Sequence, residues 1–322
     1  MMLSKEAVKA KKKYKKLGGL IAMLVVEPWN PKMWKVKAQR FNFDYVVALN
    51  PKSKGHKKEK LTLGGMETWK VTAPNSDPDK ILLYFHGGAY QVGSAKGYYP
   101  MLTHMARETG FTIYVPNYRL APENYYPAQV EDGVTAYEAL INDLGYSPDQ
   151  IAIGGDSAGG NMSLVTFLKL KELGKTTPSA IICISPWADP AATGNTYTRE
   201  VAEKDLLIGA IFKRMWDEYD LSGFGGYFVK EEDLDENNPY ICPIRGDYTD
   251  CPPVMIQVGG DELLLSDSRT LKAALDRDGI ENEYKEWEGL WHVFQVEAKL
   301  PESIESFKLF GEFLNKHIKV KV

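Results

Sequence analysis

Over 322 residues the chain is 44% hydrophobic and 25% charged with a net charge of −4, which allows a large core and leaves no basic field to attract nucleic acid. Its three cysteines, Cys183, Cys242 and Cys251, are odd in number and widely spaced, which argues against a disulfide framework or structural zinc and points to a reducing, cytoplasmic setting. The five histidines are scattered and form no HExxH, which argues against a metal site; no cofactor of any other kind is expected.

The chain begins with a basic cluster, Lys9 to Lys16, and an apolar run, Leu17 to Val26. That is the order of a signal peptide, but the next residues are Glu27, Pro28 and Trp29 with no small-residue cleavage site, and the run is too short to span a membrane. An amphipathic helix packed on the body of the protein is the simpler expectation. A membrane-surface contact that brings the chain to apolar substrates is the alternative.

From Phe41 short β-type runs are expected around Phe43 to Leu49, Leu61 to Leu63 and Glu67 to Val71, as antiparallel strands at a sheet edge. Ile81 to Phe85 is continuously apolar, which suits a strand buried on both faces, and it runs into His86, Gly87, Gly88 and Ala89. A helix (Tyr98 to Thr109), a strand (Thr112 to Val115) and a second helix (Tyr126 to Asp143) follow. Ile151 to Ile153 then leads into the GxSxG of Gly155 to Gly159, a helix from Ala158 to Leu173 and a strand from Ala180 to Ile184. Between Pro186 and Pro253 the alternation stops. This stretch holds Trp187, Trp216, the Gly223 to Gly226 cluster and an acidic run, Glu231 to Glu236. A structureless loop of that length does not suit a compact domain, so a mostly helical insertion over the sheet is predicted. Strands at Val254 to Val258 and Asn282 to Trp287 and helices at Ser266 to Asp278 and Pro301 to His317 complete an α/β pattern, that of a mostly parallel sheet covered on both faces.

A GxSxG between strand and helix places its serine on a strained turn, with the following helix N-terminus aimed at the reacting centre. An unreactive Gly/Ser-rich connection fits the same five residues, so the rest of the chain must decide. A nucleophilic Ser157 needs an imidazole base and a carboxylate to orient it. Asp261 and Glu262 follow one predicted strand and His292 follows the next, giving the chain order serine, acid, histidine.

HGGAY at 86–90, YRLAPE at 118–123, GDSAGGN at 155–161, PPVMIQVGGDELLLSDS at 252–268 and LWHVFQ at 290–295 together resemble the hormone-sensitive lipase family of α/β-hydrolase carboxylesterases. The resemblance implies an eight-stranded sheet flanked by helices, with a catalytic body over 41–187 and 253–322. It also implies a helical cap built from 1–40 and 188–252. It implies a serine esterase acting on short-chain acyl esters, with a small-molecule ester as substrate and a homodimer as one state. An amidase, a lactonase or a sugar or metabolite deacetylase would use the same triad, and a hydrolase-fold binding protein without turnover is a further alternative. Gly88, Ala89 and Ala158 are the implied oxyanion donors, with Gly87 a further candidate; Ala89 stands where the family has a third glycine. For the acid, counting from the neighbouring motifs selects Glu262, whereas residue type selects Asp261. His86 is expected to brace its loop, Asp156 to order the elbow, and Arg119 and Glu123 to form an ion-paired strut. The insertion's tryptophans could line an acyl pocket or the cap core, and Cys183 reads as an apolar filler.

Overall fold

The computed structural model describes residues 3–25, 33–218, 228–230 and 233–320. Its strands are β1 (Lys57–Leu63), β2 (Met66–Thr72), β3 (Asp77–Phe85), β4 (Phe111–Pro116), β5 (Ile151–Asp156), β6 (Ala180–Ile184), β7 (Val254–Gly259) and β8 (Asn282–Trp287). They form one eight-stranded sheet in the order β1-β2-β4-β3-β5-β6-β7-β8. The β1–β2 and β2–β4 pairs are antiparallel and every other pair is parallel. Residues along β4, β5, β6 and β7 are buried throughout, as expected of parallel strands covered on both faces. The β1 edge instead exposes Lys57, Lys58 and Lys60, charges that discourage pairing with another sheet.

Alternation along the strands feeds two apolar layers. Leu83, Phe85, Ile153 and Cys183 face α4 (Ala128–Asn142) and α5 (Ala158–Glu172), where Leu140, Met162 and Phe167 meet them. Leu82, Tyr84, Ala152 and Ile182 face the other way, toward Met101 and Met105 of α3 (Ala95–Thr109) and Phe307 and Phe310 of α9 (Pro301–His317). Each leucine, isoleucine, methionine or phenylalanine among them, fully buried, stabilises the fold by roughly 1.5–3 kcal/mol. The remaining sheet-flanking helix is α8 (Leu265–Arg277).

Three expectations about the elements need correcting. Helix α1 (Lys5–Val25) is followed by α2 (Met33–Ala48), which takes the residues expected as a strand around Phe43 to Leu49. Phe43, Tyr45 and Val47 alternate, yet Val36, Arg40, Phe43 and Val47 also lie at helical spacing. The tertiary contacts choose the helix: Asp44 accepts from Ser94 at 2.6 Å and the Phe43 ring lies 6.2 Å from that of Tyr98. The N-terminal helical segment therefore runs to Ala48 rather than to residue 40. Helix α3 begins at Ala95, three residues early, because Ser94 caps it by accepting from the Gly97 N–H.

Among its described residues the insertion is also less helical than predicted. Its described part holds α6 (Arg199–Lys204), α7 (Gly209–Glu218) and a 3-10 turn at Pro243–Arg245, joined by irregular chain rich in proline, glycine and asparagine. The Gly223 to Gly226 cluster, Glu231, Glu232 and the Glu27 to Pro31 stretch lie outside the described residues. Among the described residues no helix is long and apolar enough to cross a membrane, and all three cysteines are free.

Candidate active site

The turn between β5 and α5 is held in a conformation that ordinary residues avoid. Ser157 has φ 54° and ψ −119°, a strained combination costing about 1–3 kcal/mol that the surroundings must impose. They impose it through close backbone approach. A methyl group on Gly159 would stand 1.9 Å from the Phe85 carbonyl oxygen, and one on Gly155 would stand 2.4 Å from that oxygen and from Gly159. The Ser157 N–H donates to the Ile184 carbonyl at 2.9 Å, and the Trp187 N–H donates to the Ser157 carbonyl at 3.0 Å. Strand β6 thereby pins the serine while its side chain stays partly exposed at the carboxyl edge of the sheet.

Two strands along, the chain turns after β7 and presents Glu262, fully buried. One carboxylate oxygen, Oε1, lies 3.0 Å from His292 Nδ1. The other, Oε2, accepts from the Ser185 hydroxyl and the Gly259 N–H, both at 2.7 Å. Oε1 is an acceptor facing Nδ1, so the tautomer that satisfies this contact carries its proton on Nδ1 and leaves Nε2 as the free basic nitrogen. Ser185 also accepts from the Val293 N–H at 3.3 Å, tying the histidine's loop to the end of β6. Asp261 faces the opposite way. Its carboxylate binds Lys11 of α1 at 2.8 Å, and the same ammonium donates to the Gly289 carbonyl at 2.6 Å.

The third loop follows β3. Gly88, Ala89 and Tyr90 have φ of 118°, 52° and 60°. Among the described residues the Gly88 and Ala89 N–H groups have no protein acceptor, and Ala158 is the first residue of α5, where an N–H is unpaired within the helix. Gly87 differs, because its N–H donates to Asp156 at 3.1 Å. Ala89 adopts the left-handed conformation a glycine would take without strain, so the replacement keeps the loop's shape at a conformational cost.

Asp156 is the knot of this loop. It accepts from Tyr84, Tyr98 and Gly87, so it orders the oxyanion-side loop as well as the elbow. Burial pushes its carboxyl up to about 6, against the opposing pull of the tyrosine hydrogen bonds and the charge of His292. His86 is buried, bonded through Nδ1 to the Gly87 carbonyl and stacked on Tyr118 at 4.3 Å; burial pushes it down to about 4, so it is a neutral brace at neutral pH. Burial alone would also push His292 down. The charge and hydrogen bond of Glu262, then the charges of Asp205 and Asp156, outweigh it and the net direction is up.

The expected strut is not one pair. Arg119 binds Asp132 and Glu131, whereas Glu123 forms a two-pronged contact with Arg40, which also donates to the Gln91 and Ala121 carbonyls. Both residues stabilise active-site loops, but through partners on α4 and α2, which lie elsewhere in the chain. Asn161 closes the motif by accepting from Tyr90 and donating to the Trp187 and Ile241 carbonyls, joining the oxyanion-side loop to the insertion. Trp187 and Phe228 pack edge to face at 5.5 Å, and Cys183 lies within the apolar layer. Ser185, Lys11 and Arg40 escaped the reading of the sequence. Only Ser185 left a trace, as a lone hydroxyl at the end of the apolar strand Ala180 to Ile184.

Comparisons with known proteins bear on the fold and the family. Residues 82–296 match the profile of a family described by its α/β-hydrolase fold. An acetyl-hydrolase of Streptomyces hygroscopicus is 31% identical over 92% of this chain and 95% of its own. The crystal structure of an esterase from the bacterial hormone-sensitive lipase family superposes with a TM-score of 0.83 at 32% identity, covering 96% of this chain and 99% of that one. The esterase EstE5, soaked with p-nitrophenyl butyrate, gives a TM-score of 0.83 at 30% identity, covering 98% and 99% of the two chains. The chain belongs to the α/β-hydrolase fold family, within its hormone-sensitive lipase branch.

Proposed function

We propose that Ser157, His292 and Glu262 form the triad of this carboxylic ester hydrolase, with oxyanion donors at Gly88, Ala89 and Ala158. The observation that carries the reading is the buried Glu262–His292 contact of 3.0 Å, at the sheet edge where the strained Ser157 stands. With Nδ1–H held by Glu262, Nε2 accepts the Ser157 proton as Oγ attacks the ester carbonyl. The alkoxide that develops is stabilised by the unpaired N–H groups of the β3 loop and of the α5 N-terminus. His292 returns the proton to the leaving alcohol, and a water then attacks the acyl-enzyme with His292 again as base. Glu262 serves as the acid, since Asp261 is engaged by Lys11. The N-terminal helices and the insertion act as a cap, held to the site loops by Arg40 and Asn161. Short acyl chains are the proposed substrates, in line with the names of the acetyl-hydrolase and of the butyrate-soaked esterase.

Ser157→Ala assayed on p-nitrophenyl acetate and butyrate tests the assignment. A loss of about 10⁴-fold or more in kcat is expected, from the effect of removing a triad serine elsewhere. A much smaller loss, or equal labelling of both proteins by a fluorophosphonate probe, refutes it.

A further inference from the structure

We propose that Asp205, a buried carboxylate from the insertion, is a positioning residue for the acid–base pair: it fastens the backbone beside Glu262 and stands as a second anion facing His292. The inference rests on the serine esterase reading above.

Asp205 ends α6, and its Oδ1 accepts from the N–H groups of Leu207 at 3.1 Å and Ile208 at 3.2 Å. Those two bonds are an ordinary turn before α7, and the turn needs only that oxygen. The second oxygen does something else. Oδ2 accepts at 3.1 Å from the N–H of Leu263, 58 residues on and next to Glu262. The segment beyond reinforces the contact, because Leu206 and Leu207 join the apolar cluster of Trp287, Leu290 and Trp291 that frames the His292 loop. One stretch of the insertion thus grips both the acid's loop and the base's loop.

The electrostatics follow from this placement. Among the described residues no lysine or arginine pairs with Asp205, so His292 is its strongest attractive charge, while Glu262 repels it. Burial is the largest influence on its carboxyl, and with those two charges and the backbone N–H donors included it is raised to about 6. The titratable groups facing His292 are therefore Glu262, Asp205 and Asp156, all three buried. Above pH 6 the ionised Asp205 favours the imidazolium that forms when Ser157 loses its proton. Below that it does so less, and the position of the insertion is felt in the basicity of His292.

The test uses two uncharged variants, Asp205→Asn and Asp205→Ser, each still able to accept in the local turn, so that either one that folds gives the answer. Fluorophosphonate labelling counts competent sites, and kcat and KM on p-nitrophenyl acetate are followed from pH 5 to 9. Loss of the anion is expected to lower kcat roughly tenfold or more through misplacement of the acid and base, with KM little changed. It is also expected to move the acidic limb of the kcat profile about half a unit or more to lower pH, because a nearby opposite charge favours the protonated imidazole. Thr198→Ala removes the N-cap of the same helix, where Thr198 accepts from Val201, without touching the charge. It should lower the melting temperature and leave the limb where it is. Coincident limbs in wild type and both Asp205 variants overturn the proposal, as does an equal shift in Thr198→Ala. A wild type that neither labels nor turns over refutes the esterase reading itself, whereas a labelled wild type with an unmoved limb in the variants refutes only the role of Asp205.

Discussion

The acid–base corner beyond β7 and β8 and the elbow with its neighbouring β3 loop lie at the same edge of the sheet but are built by opposite means. In the corner, polar atoms do the holding: each oxygen of Glu262 has a donor, and Ser185 links the loop of Val293 to that carboxylate. At the elbow the determining feature is missing atoms, since Gly155, Gly159, Gly87 and Gly88 sit where a methyl group would strike backbone or carboxylate within 2.4 Å. One region should therefore fail when a polar atom is changed, and the other when a carbon is added.

The largest effect is expected at the corner. Glu262→Gln keeps the shape but presents an amide where Nδ1–H needs an acceptor, and kcat should fall about 10³–10⁴-fold with little change in melting temperature, by analogy with loss of the triad carboxylate elsewhere. Asp261→Asn should cost less than about threefold, its partner being the partly exposed Lys11. Equal losses in the two would erase the distinction between neighbouring carboxylates. With neutral His292 as the proposed base and carboxylate neighbours that raise its pKa, kcat should fall as pH drops through a value above that of an ordinary imidazole, most simply read from a pH profile on p-nitrophenyl acetate.

Next comes the added carbon. Gly159→Ala, with its methyl 1.9 Å from a backbone oxygen, should destabilise by about 3 kcal/mol or more, measured by urea unfolding, because that backbone cannot retreat without moving β3. Arg40→Ala removes the two-pronged contact with Glu123 and two bonds to site-loop carbonyls; about 1 kcal/mol is expected for so solvent-accessible a pair, and a loss above 3 would mean that α2 carries more of the loop than its contacts suggest. The smallest effect runs the other way. Ala89→Gly should relieve a left-handed alanine and stabilise by roughly 0.5–1 kcal/mol, detectable as a small rise in melting temperature. A fall in stability would place the strain elsewhere.

The elbow was legible because its constraint is local. A glycine two residues either side of a serine, between an apolar run and an amphipathic one, states the turn and its direction within a few positions. The central strands were legible for the same reason, as was the span of helix α9 from Pro301 to His317, whereas β1 and β3 each begin four residues before the apolar runs that announced them. Residues 43–49 were not: Phe43, Tyr45 and Val47 satisfy a strand's alternation, and only α3 lying alongside makes them helical. The insertion resisted for a different reason, since turn-forming residues such as Pro190, Gly194 and Asn195 near its start and Asn237, Asn238 and Pro239 near its end interrupt it without giving a period to read.

From the order of its residues alone this chain determined its strands, its strained serine and the succession of hydroxyl, carboxylate and imidazole along parallel strands, all set by short-range sterics and burial. Tertiary structure decided what no local rule can. Asp261 and Glu262 are neighbours of the same charge, and consecutive side chains in a tight turn point apart; which one meets His292 depends on where the loop after β8 lands and on Lys11 arriving from α1 to take the other. The partners of Glu123, Arg119 and Asp205 were likewise settled in space, because an ion pair or a buried carboxylate is satisfied by whatever complementary group packing brings within 3 Å or so, however far along the chain it lies.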